Sequence, residues 1–188
     1  GNMNILITGI NGFIGKNLAK AFSSHPYKIF ALVRESSDKS FVEKEKIPYF
    51  IFENNIINLI QFIQDNNIEG VIHLASLFIK EHKSEDIQNL VHSNILLGTC
   101  LLEASTKCEV KWFINTGTYW QHYENKDYCP ANLYAATKQS FEDIAKFYTE
   151  ISNFTFVTIK LNDTFGPNDT RPKIMNLLSN IVKTKEIL

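Results

Sequence analysis

Short apolar runs alternate along the chain with segments in which apolar residues recur every three or four positions. Runs of the first kind predict buried β-strands, and segments of the second kind predict amphipathic helices. Strands are predicted at residues 5–8, 28–33, 49–52, 71–75, 112–116 and 156–161. Because strands and helices alternate, the pattern indicates the α/β class: a doubly wound parallel sheet with helices on both faces.

Two helical stripes are the clearest in the chain, and most of their residues are predicted to be core. The first stripe consists of Ile14, Leu18, Ala21 and Phe22, and the second of Ile87, Leu90, Val91, Asn94, Ile95, Leu101 and Leu102. The segment 117–131 has no such period. Ligands of open α/β sheets bind beyond the carboxyl ends of strands, so the loops there are the places to search for function.

The composition fits one domain that binds a small molecule. The 188 residues are 44% hydrophobic, enough for a single buried core. A net charge of -1 gives no electrostatic reason to expect nucleic acid or a membrane surface as a partner. No apolar run approaches the ~20 residues that span a bilayer. Cys100, Cys108 and Cys129 form no CxxC pair, which favours reduced thiols and a cytoplasmic protein.

A glycine-rich loop, ILITGINGFIG at residues 5–15, lies between the first predicted strand and the first predicted helix. In this context Gly9 permits the sharp turn, Gly12 lets the backbone approach a pyrophosphate, and Gly15 lets the helix pack tightly on the strand. The free N–H groups of the helix N-terminus favour phosphate. The loop therefore predicts dinucleotide binding.

The end of the second predicted strand indicates which dinucleotide binds. An acidic residue there would hold the adenosine ribose, but the sequence reads ALVRESS, with Val33 at the acidic position and Arg34 after it. Arginine beside the hydroxyls of Ser36 and Ser37 can hold a 2′-phosphate, which favours NADP. Glu35 could still bind a ribose, so NAD remains the alternative.

A tyrosine and a lysine stand four positions apart in LYAATKQS, residues 133–140. At that spacing Tyr134 and Lys138 share one face of a helix. A tyrosine phenol has a pKa of about 10, and a neighbouring ammonium favours the phenolate. Tyr134 is therefore a candidate general acid or base. The alternative interpretation is a surface lysine beside a half-buried tyrosine.

Six motifs follow one another in a recognisable order. They are TGINGFIG at 8–15, HLAS at 73–76, NILLGTCLLEAS at 94–105, NTGT at 115–118, YAATK at 134–138 and LNDTFGPND at 161–169. Their order and spacing resemble the extended short-chain dehydrogenase/reductases, in particular the NAD-dependent epimerase/dehydratase family, which acts mainly on nucleotide sugars. The resemblance implies a Rossmann domain over residues 3–188, in which 164–188 begins a substrate-binding region that is largely absent.

The resemblance also implies the site residues. Thr118, Tyr134 and Lys138 match the catalytic triad, Lys138 additionally holds the nicotinamide ribose, and Asn94 supports the active site. Asn55 matches, more loosely, an adenine-contacting aspartate. The predicted cofactor contacts are Gly9, Asn11, Gly12, Phe13, Ile14, Gly15, Arg34, Asn55, Ala75 and Lys138.

The residues after Thr118 bear on the reaction. Dehydratases of the family have an Asp-Glu pair there, whereas this chain has Tyr119 and Trp120, so dehydration is not expected. Epimerisation and 4-keto-sugar reduction both remain, and an NADP cofactor favours reduction. The stretches TGTYWQHY and GPNDTRPKIMNLL are similar to reductases of the CDP-abequose and CDP-paratose synthase type, which act on a CDP-4-keto-6-deoxyhexose. Asp163 departs from the family's usual Asn near the substrate.

Two further expectations concern partners, and one alternative concerns activity. The resemblance implies a homodimer formed through helices at about 86–106 and 132–151. No histidine has a partner at metal-ligand spacing, so no metal is predicted. Without a complete substrate-binding region, the chain could also serve as a dinucleotide-binding module that does not catalyse.

Overall fold

The computed structural model describes residues 3–118, 131–161 and 171–187. All six predicted strands are present and pair in parallel in the order β3-β2-β1-β4-β5-β6. The strands are β1 Met3–Thr8, β2 Tyr27–Val33, β3 Tyr49–Ile51, β4 Gly70–His73, β5 Trp112–Thr118 and β6 Thr155–Leu161. The strand order reverses between β1 and β4, which opens a crevice at their carboxyl ends. This is the predicted doubly wound Rossmann sheet.

Helices connect the strands and cover both faces. They are α1 Phe13–Phe22, α2 Ser40–Lys44, α3 Ile56–Asp65, α4 Ile87–Val91, α5 Leu97–Lys107, α6 Leu133–Ile151 and α7 Arg171–Ile187. A π-helical turn, His92–Leu96, joins α4 to α5 in one continuous helical segment. None of the helices in the described ranges is long and apolar enough to span a bilayer.

The pleat of the sheet assigns alternate strand residues to two hydrophobic layers. Along β1, Leu6 belongs to one layer, whereas Ile5 and Ile7 belong to the other. Helical residues on the Leu6 side include Leu59, Ile63, Leu101, Leu102, Phe141 and Ala145. Those on the opposite side include Leu18, Ala19, Phe22, Ile174, Leu178 and Ile181. Helix α7 therefore packs in the same layer as α1.

The second predicted stripe is only partly core. Leu90 and Asn94 are buried, but Ile87 is 48% exposed and Val91 is 42% exposed. A period of 3.6 residues cannot anticipate the extra residue of the π turn at His92–Leu96, which changes the face that the helix turns toward the sheet. Ile87 and Val91 are thus exceptions to the prediction that most residues of the two stripes are core.

Strand β4 is shorter than the predicted range 71–75, since it ends at His73. The chain leaves the sheet there because the Ala75 N–H donates to the Thr8 hydroxyl, at 3.0 Å, and not to a strand backbone. A contact with the side chain at the end of β1 thus replaces strand pairing at Ala75, although the apolar sequence of β4 continues.

Candidate functional site

A cavity of about 300 Å³ lies at the carboxyl ends of β1, β2 and β4. This is the crevice that the reversed strand order creates. Its walls come from the glycine loop, the end of β2, the residues after β4 and the segment around the π turn. The lining residues are Gly9, Ile10, Asn11, Gly12, Leu32, Val33, Arg34, Ser37, Leu74, Ala75, Ser76, Ser93 and Leu97.

The three glycines of the loop meet different surroundings. Gly9 has a φ of +75°, and an added Cβ would lie 2.7 Å from the Ala75 nitrogen. A Cβ on Gly15 would lie 2.3 Å from the Gly9 carbonyl oxygen, so α1 could not pack as it does. At Gly12 the nearest atom to an added Cβ is that same oxygen, at 3.5 Å.

Gly12 is also the N-cap of α1, and within the described ranges no side-chain cap accepts the first N–H groups of this helix. Together with the open space at Gly12, these N–H groups fit a pyrophosphate brought close to the backbone. The residues of this cradle therefore suit the dinucleotide that the sequence predicts.

The segment after β2 is held against the glycine loop. The Asn11 amide donates to the Asp38 carbonyl at 2.7 Å, and the Arg34 N–H donates to the Ser37 hydroxyl at 2.9 Å. The side chain and backbone of Ser40 donate to the Asp38 carboxylate and lower its pKa. The cavity wall at Arg34 and Ser37 is thus fixed by local hydrogen bonds.

The Arg34 side chain reaches across the cavity to the π turn. Its Nη2 lies 2.9 Å from His92 Nδ1 and donates to Ser93 Oγ, also at 2.9 Å. His92 Nε2 lies 2.9 Å from Asn54 Oδ1. Burial, and secondarily the Arg34 charge, lower the pKa of His92, which favours the neutral imidazole at pH 7. A neutral ring that accepts at Nδ1 and donates from Nε2–H satisfies both partners.

The ends of β1 and β4 are joined by a buried contact between Thr8 Oγ1 and His73 Nδ1, 2.7 Å apart. Thr8 Oγ1 also accepts the Ala75 N–H, which places Ala75 at the cavity wall. Burial, and secondarily the Lys138 charge, lower the pKa of His73 to about 3. His73 is the last residue of β4, where it is neutral and structural.

Asn94 joins the cavity wall to α6. Its side chain accepts the Leu77 N–H at 2.8 Å and donates to the Leu77 carbonyl and to Thr137 Oγ1, each at 3.0 Å. Thr137 Oγ1 in turn donates to the Tyr134 carbonyl at 2.6 Å. Asn94 is 2% exposed. It therefore fixes the chain after the cavity and the start of α6 relative to each other.

Tyr134 and Lys138 lie on α6, which begins at an N-cap where the Asn132 side chain accepts the Ala135 N–H at 2.8 Å. Both side chains are buried, at 3% and 6% exposure. The alternative of a surface lysine is thereby excluded. The Phe78 ring packs edge-on against Tyr134, with centroids 5.0 Å apart. Residues 74–78 thus connect the cavity to Tyr134.

Other predicted site residues have different surroundings. Phe13 is 72% exposed at the start of α1, and Ile14 packs in the hydrophobic layer that contains α1 and α7. Asn55 is the N-cap of α3, where its side chain accepts the Asn58 N–H at 3.2 Å, and an adenine contact stays a prediction. Thr118 is the last residue of β5, and its side chain is not described.

Several predicted positions lie outside the described residues, namely Tyr119, Trp120, Cys129 and Asp163. Sequence reasoning missed His92, Ser93, Asn54 and Thr137. Ser93 directly precedes Asn94 and could have been found from that neighbour, but nothing local marks Asn54 or His92. Within the described ranges, no three His, Cys, Asp or Glu side chains cluster to hold a metal ion.

Two known proteins are similar to this chain along nearly its whole length. The chain is 23% identical over 184 residues to CDP-abequose synthase of Salmonella typhimurium, covering 97% of this chain and 60% of that protein. It is 28% identical over 187 residues to CDP-abequose synthase of Salmonella muenchen, covering 98% of this chain and 61% of that protein. The chain thus spans about 60% of the length of these relatives.

A solved structure shares the fold. UDP-glucuronic acid 4-epimerase from Bacillus cereus in complex with NAD superposes with a TM-score of 0.70 at 24% identity, covering 85% of this chain and 57% of that chain. The family model described as the NAD dependent epimerase/dehydratase family matches residues 5–188, nearly the whole chain. The chain therefore belongs to the NAD-dependent epimerase/dehydratase family of extended short-chain dehydrogenase/reductases.

Proposed function

We propose that the protein is an NAD(P)-dependent oxidoreductase that acts on a nucleotide sugar, most specifically as a 4-keto-6-deoxy-sugar reductase. One observation carries the proposal: the buried pair Tyr134 and Lys138 is tied through Thr137 and Asn94 to the segment that follows β4, which lines the crevice at the strand ends. Similarity to two CDP-abequose synthases supports the reductase subclass.

Each residue of the site has a separate task in this proposal. Thr118 donates a hydrogen bond to the sugar carbonyl oxygen, and the Tyr134 phenol gives that oxygen a proton. Lys138 provides a positive charge that favours the phenolate left behind, and it holds the nicotinamide ribose. Asn94 holds the chain around Leu77 and the start of α6 in fixed positions relative to each other. When bound, the cofactor supplies the hydride that reduces the carbonyl carbon.

The proposed cofactor is NADP. Support comes from Arg34, which lines the cavity together with the hydroxyls of Ser37 and Ser93, a donor set that suits a 2′-phosphate. No carboxylate belongs to the described cavity lining, where an NAD-binding site of this kind would place one on the ribose.

The second candidate function is nucleotide-sugar epimerisation with bound NAD. The superposition on a UDP-glucuronic acid 4-epimerase solved with NAD favours it, although 24% identity speaks only for the fold. A third candidate, of another class, is a dinucleotide-binding module without catalysis. The buried Tyr134, one helical turn before Lys138, opposes it, because a module that only binds a dinucleotide has no need of a proton donor next to its ribose-binding lysine.

We infer that the protein forms a homodimer. Apolar residues stay exposed on two neighbouring helical segments, α4–α5 and α6, and a second copy of the chain is the proposed occupant of this surface. The exposed residues are Ile87, Val91, Leu96, Phe147 and Ile151. We also propose that 164–188 leads into the substrate-binding region.

Replacing Tyr134 with Phe tests the catalytic proposal. The variant removes the proton donor and keeps the ring that packs on Phe78, so reduction should slow by about a hundredfold or more. The measurement is NADPH oxidation, followed by absorbance, with a CDP-4-keto-6-deoxyhexose as substrate. Tyr148→Phe is the matched control because Tyr148 lies on the same helix, near its far end, and donates to Glu103.

The outcomes separate the candidates. Unchanged reduction in Tyr134→Phe would exclude the proposed mechanism. A chain that binds NADPH and leaves the keto sugar untouched would favour the binding module. Interconversion of a nucleotide sugar with its 4-epimer, without net use of NADPH, would favour the epimerase.

A further inference from the structure

Arg34 is held by a helix that lies far from it in the chain. Both N–H groups of its Nη2 have acceptors on the π turn, His92 Nδ1 and Ser93 Oγ. These contacts join positions 58 and 59 residues apart, and His92 is itself anchored to Asn54, 38 residues away. Three separate segments thus combine to fix one guanidinium.

We propose that His92 is a positioning residue for cofactor selection: anchored by Asn54, it holds Arg34 at the cavity wall so that the chain prefers a dinucleotide with a 2′-phosphate. This inference rests on the proposed use of a dinucleotide and extends it to residues that do not line the cavity. His92 acts through Arg34 and need not touch the cofactor.

The need for a histidine follows from the two contacts that its ring makes. Arg34 needs an uncharged acceptor at Nδ1, and Asn54 Oδ1 needs a donor at Nε2. Only a neutral imidazole gives both on opposite sides of one rigid ring. Lysine or arginine would repel Arg34, and a leucine would leave its Nη2 with one partner fewer.

The backbone conformation of Asn54 suits its hydrogen bond to His92. Its φ of +64° lies in the left-handed region, which asparagine adopts more readily than most residues. This conformation brings Asn54 Oδ1 within 2.9 Å of His92 Nε2. The anchor lies just before the N-cap of α3, so the end of β3 also contributes to the arrangement.

The benefit to binding is preorganisation. An arginine that is free in solution loses side-chain entropy when it binds a phosphate, whereas a guanidinium already held by protein loses less. In the described contacts Nη2 is the group bound to the protein, which leaves Nη1 and Nε as donors for a ligand. The Ser37 and Ser93 hydroxyls line the same cavity. A 2′-phosphate would meet this charge, and a 2′-hydroxyl would gain little from it.

Calorimetric titration with NADP⁺ and with NAD⁺ tests the proposal on the whole chain. We expect His92→Leu to weaken NADP⁺ binding about tenfold, as for loss of a hydrogen bond to a charged group, and to change NAD⁺ binding less than about twofold. His92→Asn should recover most of the NADP⁺ affinity because its amide can place an oxygen near the position of Nδ1. Asn54→Gly, which permits the same φ, should fall between wild type and His92→Leu.

The controls separate this proposal from the one on which it rests. His25→Leu removes an exposed histidine at the end of α1 and should leave both affinities unchanged. If Arg34→Ala leaves the ratio of NADP⁺ to NAD⁺ affinity unchanged, or if neither dinucleotide binds, the proposed cofactor is wrong. If Arg34→Ala abolishes the preference and His92→Leu keeps it, His92 has no positioning role. Equal weakening for both dinucleotides in His92→Leu would also overturn the proposal, since it would indicate a purely structural role.

Discussion

At the scale of single residues, His73 shows how a titratable group can serve the site by staying neutral. Its imidazole contacts the Thr8 hydroxyl and lies between the rings of Phe113 and Phe141, with centroids 6.1 and 5.5 Å away. Burial of the ring, and secondarily the Lys138 charge, oppose a proton on it and lower the pKa of His73. A protonated His73 would therefore disturb both the sheet and the helix that carries Tyr134.

The stability of the fold should consequently depend on pH through His73. The folded pKa is about 3, whereas a histidine in the unfolded chain titrates near 6.5. Between these values the unfolded state binds a proton that the folded state does not, so stability falls as the pH falls below about 6.5. We expect His73→Asn, which can still pair with Thr8, to reduce this slope by up to about 1.4 kcal/mol per pH unit.

Urea unfolding at pH 7, 6 and 5 measures this slope. His92, whose pKa is also lowered, contributes in the same direction and leaves a residual slope in the variant. His82→Asn replaces an exposed histidine and serves as the control. A slope as steep in His73→Asn as in wild type would show that His73 is not the group responsible.

At the scale of elements, two glycines at the junction of β1 and α1 have different roles. Gly15 allows α1 to pack, whereas Gly12 leaves space for a ligand. An added methyl group at Gly15 would overlap the Gly9 carbonyl, while one at Gly12 would enter the space next to the cavity. Gly15→Ala should therefore lower the free energy of unfolding by about 1–3 kcal/mol. Gly12→Ala should cost at most about 1 kcal/mol, as a poorer N-cap, but weaken NADP⁺ binding about tenfold or more.

Urea unfolding and NADP⁺ titration of the two variants check this separation. Each variant is the control for the other, because both add one methyl group to the same loop. If Gly12→Ala binds NADP⁺ as tightly as wild type, the glycine loop is not part of the cofactor site. Wild-type stability in Gly15→Ala would show that α1 can shift without cost.

The sequence predicted elements better than it predicted their ends. All six strands followed from apolar runs because a sheet covered on both faces buries most residues of its central strands. The π turn and the early end of β4 could not be predicted, because contacts such as that of Thr8 with Ala75 join distant segments. Exposure of Ile87 and Val91 has the same origin, since their phase depends on the π turn that follows.

At the scale of the whole molecule, the exposed apolar face on α4–α5 and α6 predicts a dimer. Val91→Glu with Phe147→Glu would place four carboxylates in the contact between two copies and should convert the dimer to monomers. Sedimentation velocity measures the change. Ile57→Glu, on α3 and more exposed than either residue at 68%, is the control and should stay dimeric. A wild-type protein that sediments as a monomer at all concentrations would contradict the prediction.

The candidate site was predictable where its residues form local motifs. Tyr134 and Lys138 are four positions apart on one helix, so spacing alone places them together. Arg34 was found in the same way, from its place after a strand. Its partner His92 was not, because a bond across 58 residues depends on the complete sheet. The family resemblance supplied Asn94, and the structure supplied the reason for its burial.

The contact between Thr8 and His73 determines how late in synthesis the crevice can fold. It spans 65 residues, and the Gly9 backbone abuts Leu74 and Ala75 just beyond it. The crevice of the proposed site therefore cannot exist in a nascent chain until β4 has left the ribosome and paired with β1. Closing so long a loop is entropically slow, so the pairing of β1 with β4 is the folding step that first forms the crevice proposed to bind the dinucleotide.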